Sequence, residues 1–383
     1  MEHKVSVVTC SSYEPALVDE AVHQSLANLG GIAAFVKPGQ TILIKPNALL
    51  GASPDHAVTT HPSIISAVVR EVIKAGGQAI VGDSPGNSYA NVEKCMIETG
   101  IKPAVEAAGG KMVYFQNEGI VRLKSPSGGQ KMPLIPVAKV VLAADAVINL
   151  AKLKTHGFTL YTGAIKNMFG TVPGFNKTLF HANCQNPRDF AAALVDVWEL
   201  TKPELNIIDA VVGMEGRGPS EGKPRSLGVL IAGADAVAAD AVGSYLIGYE
   251  PLEINTTAIA CERGLGEARL DKIGIIGASI DTVRQKDWVH AKNMGQKIQS
   301  LPSWLYRFIV SRISVKPVID QKQCTRCQVC VRNCPAKTIH FYPDKNKVEI
   351  DHSKCIYCFC CHELCPFKAV QLNKSWLAKA MGL

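Results

Sequence analysis

The chain has no uninterrupted run of 18 or more apolar residues, so a membrane-spanning helix is not expected. No secretory leader is legible either, because Met1–Cys10 turns polar again after a short apolar run. The lysines lack the interleaved stacking aromatics and clustered arginines of a nucleic-acid surface, which sets nucleic-acid binding last among the readings. Nucleotide fingerprints are missing as well. Gly213, Gly216 and Gly218 do not follow the G-x-G-x-x-G order of a dinucleotide site. Gly222-Lys223 is not a phosphate loop, since Arg217 stands at the first glycine position and Pro224 replaces Ser or Thr. In the first 280 residues, His, Asp and Glu do not fall at metal-ligand spacing.

What is present is concentrated at the end of the chain. Nine of the 13 cysteines lie in the tail. Cys324, Cys327, Cys330 and Cys334 read C-x2-C-x2-C-x3-C and run into Pro335; Cys355, Cys358, Cys361 and Cys365 repeat the spacing and run into Pro366. A cubane cluster needs one thiolate per iron, and two intervening residues let a tight loop deliver successive sulfurs. In two-cluster proteins of this type the fourth cysteine serves the other cluster. The spacing therefore predicts two [4Fe–4S] clusters, one on Cys324, Cys327, Cys330 and Cys365, the other on Cys355, Cys358, Cys361 and Cys334. The crossover would staple a segment too small to build a strong core of its own. The alternatives are a pair of zinc sites, which two C-x2-C pairs would suit better, and a disulfide framework, which a reducing compartment disfavours. Residues 318–373 resemble the bacterial-type two-[4Fe–4S] ferredoxin family. Cys360 departs from the pattern, either as a spare buried thiol or as a group that tunes or ligates the second cluster. Cys10, Cys95, Cys184 and Cys261 are isolated and read as core residues.

The other roughly 300 residues can bury one large α/β domain or two small ones. The formal net charge of +8 fits anionic ligands or an acidic protein partner. Short apolar runs alternate with helical patterns. Strands are expected at Val5–Thr9, Thr41–Ile44, Gln78–Val81, Val140–Leu150, Asn206–Val212, Leu227–Ala232 and Lys272–Ile276. Helices are expected at Glu14–Leu29, Pro62–Ala75, Phe190–Leu200 and Ala236–Ile247. The fold class is α/β: a mostly parallel sheet with helices on both faces, plus a small C-terminal α+β ferredoxin-like domain. The expected division is an α/β domain over 1–280, a partly helical connector over 281–317, the ferredoxin-like domain over 318–373 and a tail over 374–383. In the connector, Trp304, Leu305, Phe308, Ile309 and Ile313 recur at helical spacing with Arg307 and Arg312 between them. This suits a docking helix or peripheral membrane contact. Trp376–Leu383 could serve the same purpose.

Ligands of open parallel sheets bind beyond the carboxyl ends of the strands, and polar residues gather there. Asn47 follows the second strand, Asp83 and Ser84 the third, and Lys152, Lys154 and His156 follow Val147–Leu150. The stretch Asn149–His181 holds Lys152, Lys154, Lys166 and Lys177 and not one Asp or Glu. With its glycines it suits an anion cradle, or else a solvated basic loop. Asn47, Asp83, Ser84, Lys152, Lys154 and Lys166 are the candidate ligand contacts. His156 and His181 are the candidate proton donors.

The blocks Lys45-Pro46-Asn47, Gly82-Asp83-Ser84-Pro85, Lys152-Leu153-Lys154-Thr155-His156 and Gly163-Ala164-Ile165-Lys166-Asn167 with Gly170 resemble the domain-of-unknown-function family 362, over about residues 3 to 280. The resemblance implies iron–sulfur proteins and a distant likeness to the fold of the nickel-pincer lactate racemase. The histidine set for nickel is not recognisable, and nickel is not carried over. Three functions follow as expectations. One is an iron–sulfur oxidoreductase that relays electrons between a redox protein partner and an anionic small molecule or second cofactor. Another is a non-catalytic ferredoxin-like adaptor of a redox complex. Nucleic-acid binding is the last. A reducing cytoplasm is the expected setting.

Overall fold

The computed structural model describes residues 3–86, 92–174, 176–291 and 315–374. The described residues up to 174 with 191–291 form one compact unit, and 176–190 with 315–374 the other. The connector pattern Trp304–Ile313 and the segment Trp376–Leu383 lie outside the described residues. Among the described residues no helix is long and apolar enough to cross a membrane.

The strands, in chain order, are β1 (Lys4–Thr9), β2 (Thr41–Lys45), β3 (Gln78–Val81), β4 (Lys111–Met112), β5 (Ile120–Lys124), β6 (Leu134–Ala138), β7 (Ala146–His156), β8 (Leu160–Thr162), β9 (Leu205–Glu215), β10 (Lys223–Gly233), β11 (Gly274–Gly277), β12 (Val315–Ile319), β13 (Ile339–Tyr342), β14 (Lys347–Ile350) and β15 (Val370–Lys374). The large unit is built on a sheet of order β11-β1-β10-β9-β7-β2-β3-β4, with β8 paired to β7. β4, β3, β2, β7 and β9 run parallel, β10 runs against its neighbours β9 and β1, and β11 is parallel to β1. The fold is thus the expected α/β sheet, mostly parallel.

Its strands are apolar on both faces because helices cover both. Ile42, Ile44, Ile148, Leu150, Leu205 and Ile207 join one core with Val18, Val22 and Leu26 of the helix Pro15–Ala27 and Ile64, Ile65 and Val68 of the helix Pro62–Lys74. Alternate residues point to the opposite face. There Leu43, Val147, Ile208 and Ile231 are also buried. The helix Ala236–Leu246 is buried almost throughout, as an element enclosed by its neighbours must be.

Two sequence expectations change here. Val140–Leu150 is not one strand, for Lys139–Ala143 is a short helix and β7 begins at Ala146. β7 then continues to His156, so Lys152, Lys154 and His156 lie inside the strand and not in a loop after it. Those charges hid the strand, since lysine lowers an apolar reading even where, as here, every residue of β7 is buried. Residues 281–291, taken from sequence as the start of the connector, pack in the large unit. Trp288 is buried there, with the Arg225 guanidinium 5.3 Å from its ring centre.

In the small unit, β12 pairs antiparallel with β15, and β13 with β14. Among the described residues of 315–374, one apolar cluster joins Ile319, Ile339, Val348, Cys361 and Val370, with four further cysteines and Val331, Phe341 and Ile350 packed against them.

Candidate functional site

The strand order turns between β2 and β7. From β2 the chain proceeds outward through β3 to β4, and from β7 it proceeds the other way through β9. Such a switch point leaves a crevice at the carboxyl edge of a parallel sheet. Two buried polar clusters lie at this edge of the sheet.

The first is centred on Lys152 and Asp209, which are register partners on β7 and β9. Lys152 Nζ donates to Asp209 Oδ2 at 2.8 Å and to the Tyr13 hydroxyl at 2.7 Å; Tyr13 donates in turn to Asp209 Oδ1 at 2.8 Å. The backbone N–H of His61 completes the carboxylate at 3.0 Å. The rings of Tyr13 and His61 stack at 3.6 Å and close the cluster from outside. Burial lowers the Lys152 pKa while Asp209 opposes that shift. Burial also takes His61 down to about 4, so it is neutral near pH 7. The Tyr13 hydroxyl is pushed well above its usual range by burial and the Asp209 charge.

The second cluster runs across the sheet as a chain of amides. Asn47 Nδ2 donates to Asn167 Oδ1 at 2.9 Å, Asn167 Nδ2 to Asn149 Oδ1 at 2.7 Å, and Asn149 Nδ2 to Asn206 Oδ1 at 2.9 Å. Beside it Lys45 Nζ meets Asp83 Oδ1 at 2.8 Å, both side chains buried. Asp83 also accepts the N–H groups of Ala48 and Ser84. Gly170 is required here, because a Cβ on it would stand 2.0 Å from Asp83 Oδ1 and 2.6 Å from Lys45 Nζ. Lys154 joins the chain by donating to Asn47 Oδ1 and to the Val58 carbonyl, each at 2.8 Å.

The structure thus brings Asn47, Asp83, Ser84, Lys152 and Lys154 to one edge of the sheet, with Ser84 accepting from Gln116 and from the Gly174 N–H at 3.0 Å. Lys166 is half-buried on the short helix Ala164–Asn167. The first turn of that helix donates to Asp240, whose carboxyl is raised to about 7 by burial against those two backbone bonds. One premise of the anion cradle is corrected. The acid-free segment does not leave Lys152 without a counter-charge, because Asp209 arrives from 57 residues away. His156 is buried in β7, and its Nδ1 accepts the N–H groups of Phe158 and Thr159 at 3.0 and 3.4 Å. That nitrogen carries no proton of its own in this arrangement. His181 lies in the helix Asn176–Asn183, its ring 4.6 Å from that of Phe190. Tyr13, His61, Asn149, Asn167, Asn206 and Asp240 were missed as site residues. Lys45 and Asn167 stood in the quoted sequence blocks without a role, and the rest carry no local signal.

The tail brings its cysteines together as two crossed sets. Cys324, Cys327, Cys330 and Cys365 line one hollow, with Val329, Pro366 and Ala369. Cys334, Cys355, Cys358 and Cys361 line another, with Pro335, Ile339 and Phe359. Between successive cysteines, Arg326 and Gln328 in the first half and Tyr357 and Phe359 in the second have left-handed backbones, φ from 53° to 60°. Such turns gather backbone N–H groups into a concave anion site, which suits a cluster of thiolates and sulfides. Among the described residues no three His, Cys, Asp or Glu side chains sit closely enough to share one metal ion. Four sulfurs around each hollow match the one thiolate per iron that a four-iron cubane takes. Without metal, burial pushes the Cys330 thiol up to about 12 and the Cys361 thiol well above its usual value.

The comparison with known families agrees with both units. Residues 42–245 match the "Domain of unknown function (DUF362)", and residues 316–366 match a 4Fe-4S dicluster domain. The chain belongs to the DUF362 family. A "Thylakoid-associated protein" of Synechocystis is 34% identical to this DUF362 chain over 266 residues, which cover 69% of this chain and 81% of that one. Among solved structures, the lactate racemase apoprotein of Thermoanaerobacterium thermosaccharolyticum aligns with TM-score 0.41 and 13% identity, over 63% of this chain and 57% of that one. A protein of Thermotoga maritima aligns with TM-score 0.37 and 14% identity, over 65% and 59%. This chain therefore spans less than two thirds of the length of either. The cofactors of this family member are two [4Fe–4S] clusters, carried by the dicluster domain.

Proposed function

We propose that this DUF362 protein is an electron relay. Cys324, Cys327, Cys330 and Cys365 hold one [4Fe–4S] cluster; Cys355, Cys358, Cys361 and Cys334 hold the other. The clusters supply one-electron chemistry. The chain's own residues supply the thiolates, the N–H groups that face them and the apolar walls that limit water. The observation that carries this reading is the crossed lining of the two hollows. On this reading the relay serves a redox protein partner at one end. At the other end an anionic small molecule or second cofactor binds at the switch point between β2 and β7, near Asn47, Ser84, Lys154 and Lys166. A reducing, cytoplasmic compartment suits clusters of this kind.

Purification without oxygen, followed by iron and sulfide analysis, tests the first half. About eight irons per chain are expected, with EPR signals of reduced [4Fe–4S] centres after reduction. Substoichiometric iron with no such signals would refute it. A thermal-shift panel of carboxylates and phosphates tests the second half.

A second reading is a non-catalytic adaptor of a redox complex, with the large unit as a docking or sensing module. It is favoured by one observation: two of the buried lysines at the switch point, Lys45 and Lys152, already pair with Asp83 and Asp209. Full iron content with no ligand response would support it.

A further inference from the structure

The two cysteine loops are copies in spacing but not in charge. In the first loop Arg326 lies between Cys324 and Cys327, and Arg332 lies just before Cys334; the corresponding places in the second loop carry Tyr357 and Glu363. Thr325 and Gln328 stand where the second loop has Ile356 and Phe359. Two arginines thus lie inside the first loop and none inside the second, whose nearest cations, apart from His362, are Lys354 just before Cys355 and Lys337 after Cys334.

Both arginines are anchored on the backbone of the first loop. Arg326 donates through Nε to the Asn346 carbonyl at 3.1 Å and through Nη1 to the Cys324 carbonyl. Arg332 donates to the Cys327 carbonyl at 3.0 Å. Carbonyl partners fix the Arg326 guanidinium in place without neutralising it. Lys322 is exposed two residues before Cys324, and Lys368 is exposed between Phe367 and Ala369, which line the same hollow. Cys327 is the one exposed cysteine among the eight. Over residues 315–374 ten Lys and Arg face five Asp and Glu.

From this we infer that the face around Cys327 is the port at which the chain exchanges single electrons with an acidic carrier protein. Lys322, Arg326 and Lys368 form its cationic collar. The inference rests on the electron-relay reading and adds the place and the charge of the partner. Opposite charge raises the encounter rate and orients the docked pair, and an exposed ligand brings the redox centre close to the surface. One electron leaves the reduced carrier, which is oxidised, and the chain is reduced by that electron. Reduction by an acidic partner is favoured at this loop because the fixed cations offset the added negative charge.

The test uses the full chain with its clusters, reduced in a stopped-flow instrument by either of two donors. One donor is a reduced bacterial ferredoxin of strongly negative net charge; the other is reduced methyl viologen, a small cation that needs no collar. With ferredoxin, the second-order rate constant should fall steeply as ionic strength rises from about 0.01 M to about 1 M. Replacing Lys322, Arg326 and Lys368 together by Gln should lower it about tenfold at low salt. Methyl viologen should reduce wild type and variant at the same rate, and iron content should be unchanged. Should the variant lose iron, Lys322→Gln with Lys368→Gln, both on exposed positions, serves as the second variant. A ferredoxin rate indifferent to salt and to both variants would overturn the inference while leaving the relay intact. Failure of methyl viologen to reduce the wild type would instead overturn the relay reading, and the port with it. Co-sedimentation with anionic phospholipid vesicles, abolished by the same substitutions with no change in ferredoxin rate, would assign the face to a lipid surface and overturn the inference.

Discussion

Lys152 and Asp209 face each other as register partners on two parallel strands, 2.8 Å apart and almost wholly out of solvent. Each is tolerable only because of the other, and Tyr13 and His61 roof the pair.

Removing one partner should therefore cost far more than the pair contributes. Asp209→Asn leaves a buried ammonium without its counter-charge and is expected to destabilise the large unit by about 3–5 kcal/mol. Replacing both, with Lys152→Met and Asp209→Leu, should recover most of that loss. Urea unfolding followed by far-UV circular dichroism checks both.

Gly170→Ala is expected to damage the other buried pair. The added methyl cannot fit where its Cβ would stand 2.0 Å from Asp83 Oδ1. Overpacking and disturbance of the Lys45–Asp83 contact together should cost on the order of 3 kcal/mol. A thermal midpoint equal to wild type would contradict this.

Two groups should shape the pH dependence in opposite directions. His61 has its pKa depressed to about 4 by burial. Its contribution is therefore present above the ordinary histidine range and is lost as pH falls from about 6.5 towards about 4. Asp240 has its pKa raised to about 7, so the folded state holds a proton that the unfolded state releases. Its contribution is present at low pH and is lost as pH rises from about 4 through about 7. Each group has a limiting slope of about 1.4 kcal/mol per pH unit. His61→Gln should flatten the acid-side loss. Asp240→Asn should remove the neutral-side loss, at a pH-independent cost of about 1–3 kcal/mol for the N–H group that loses its acceptor. Unfolding free energies at pH 4 to 8 separate the two.

Iron removal should melt the small unit and spare the large one. The small apolar cluster around Ile319, Ile339, Val348, Cys361 and Val370 is a weak core for residues 315–374, so cluster assembly and folding are coupled there. Cys330→Ser should lose about half the iron, because the first set then keeps only three sulfurs. Iron analysis and limited proteolysis with and without chelator check this.

The sequence alone determined whatever is local in the chain. The repeated cysteine spacing named the cofactor because ligand geometry is set by a handful of adjacent residues. The alternation of apolar runs and helical patterns yielded the α/β class, as at Pro62–Lys74, where apolar periodicity and a glycine stop coincide. The tertiary structure decided which distant residues meet. Asp209 reaches Lys152 and Asn206 reaches Asn149 only through the parallel register of β7 and β9, a pairing with no signature in either strand. The same register turned a run of lysines that read as free positive charge into buried donors with fixed partners. In the tail, tertiary structure left Cys327 exposed and its counterpart Cys358 half-buried, although the cysteine spacing of the two loops is identical.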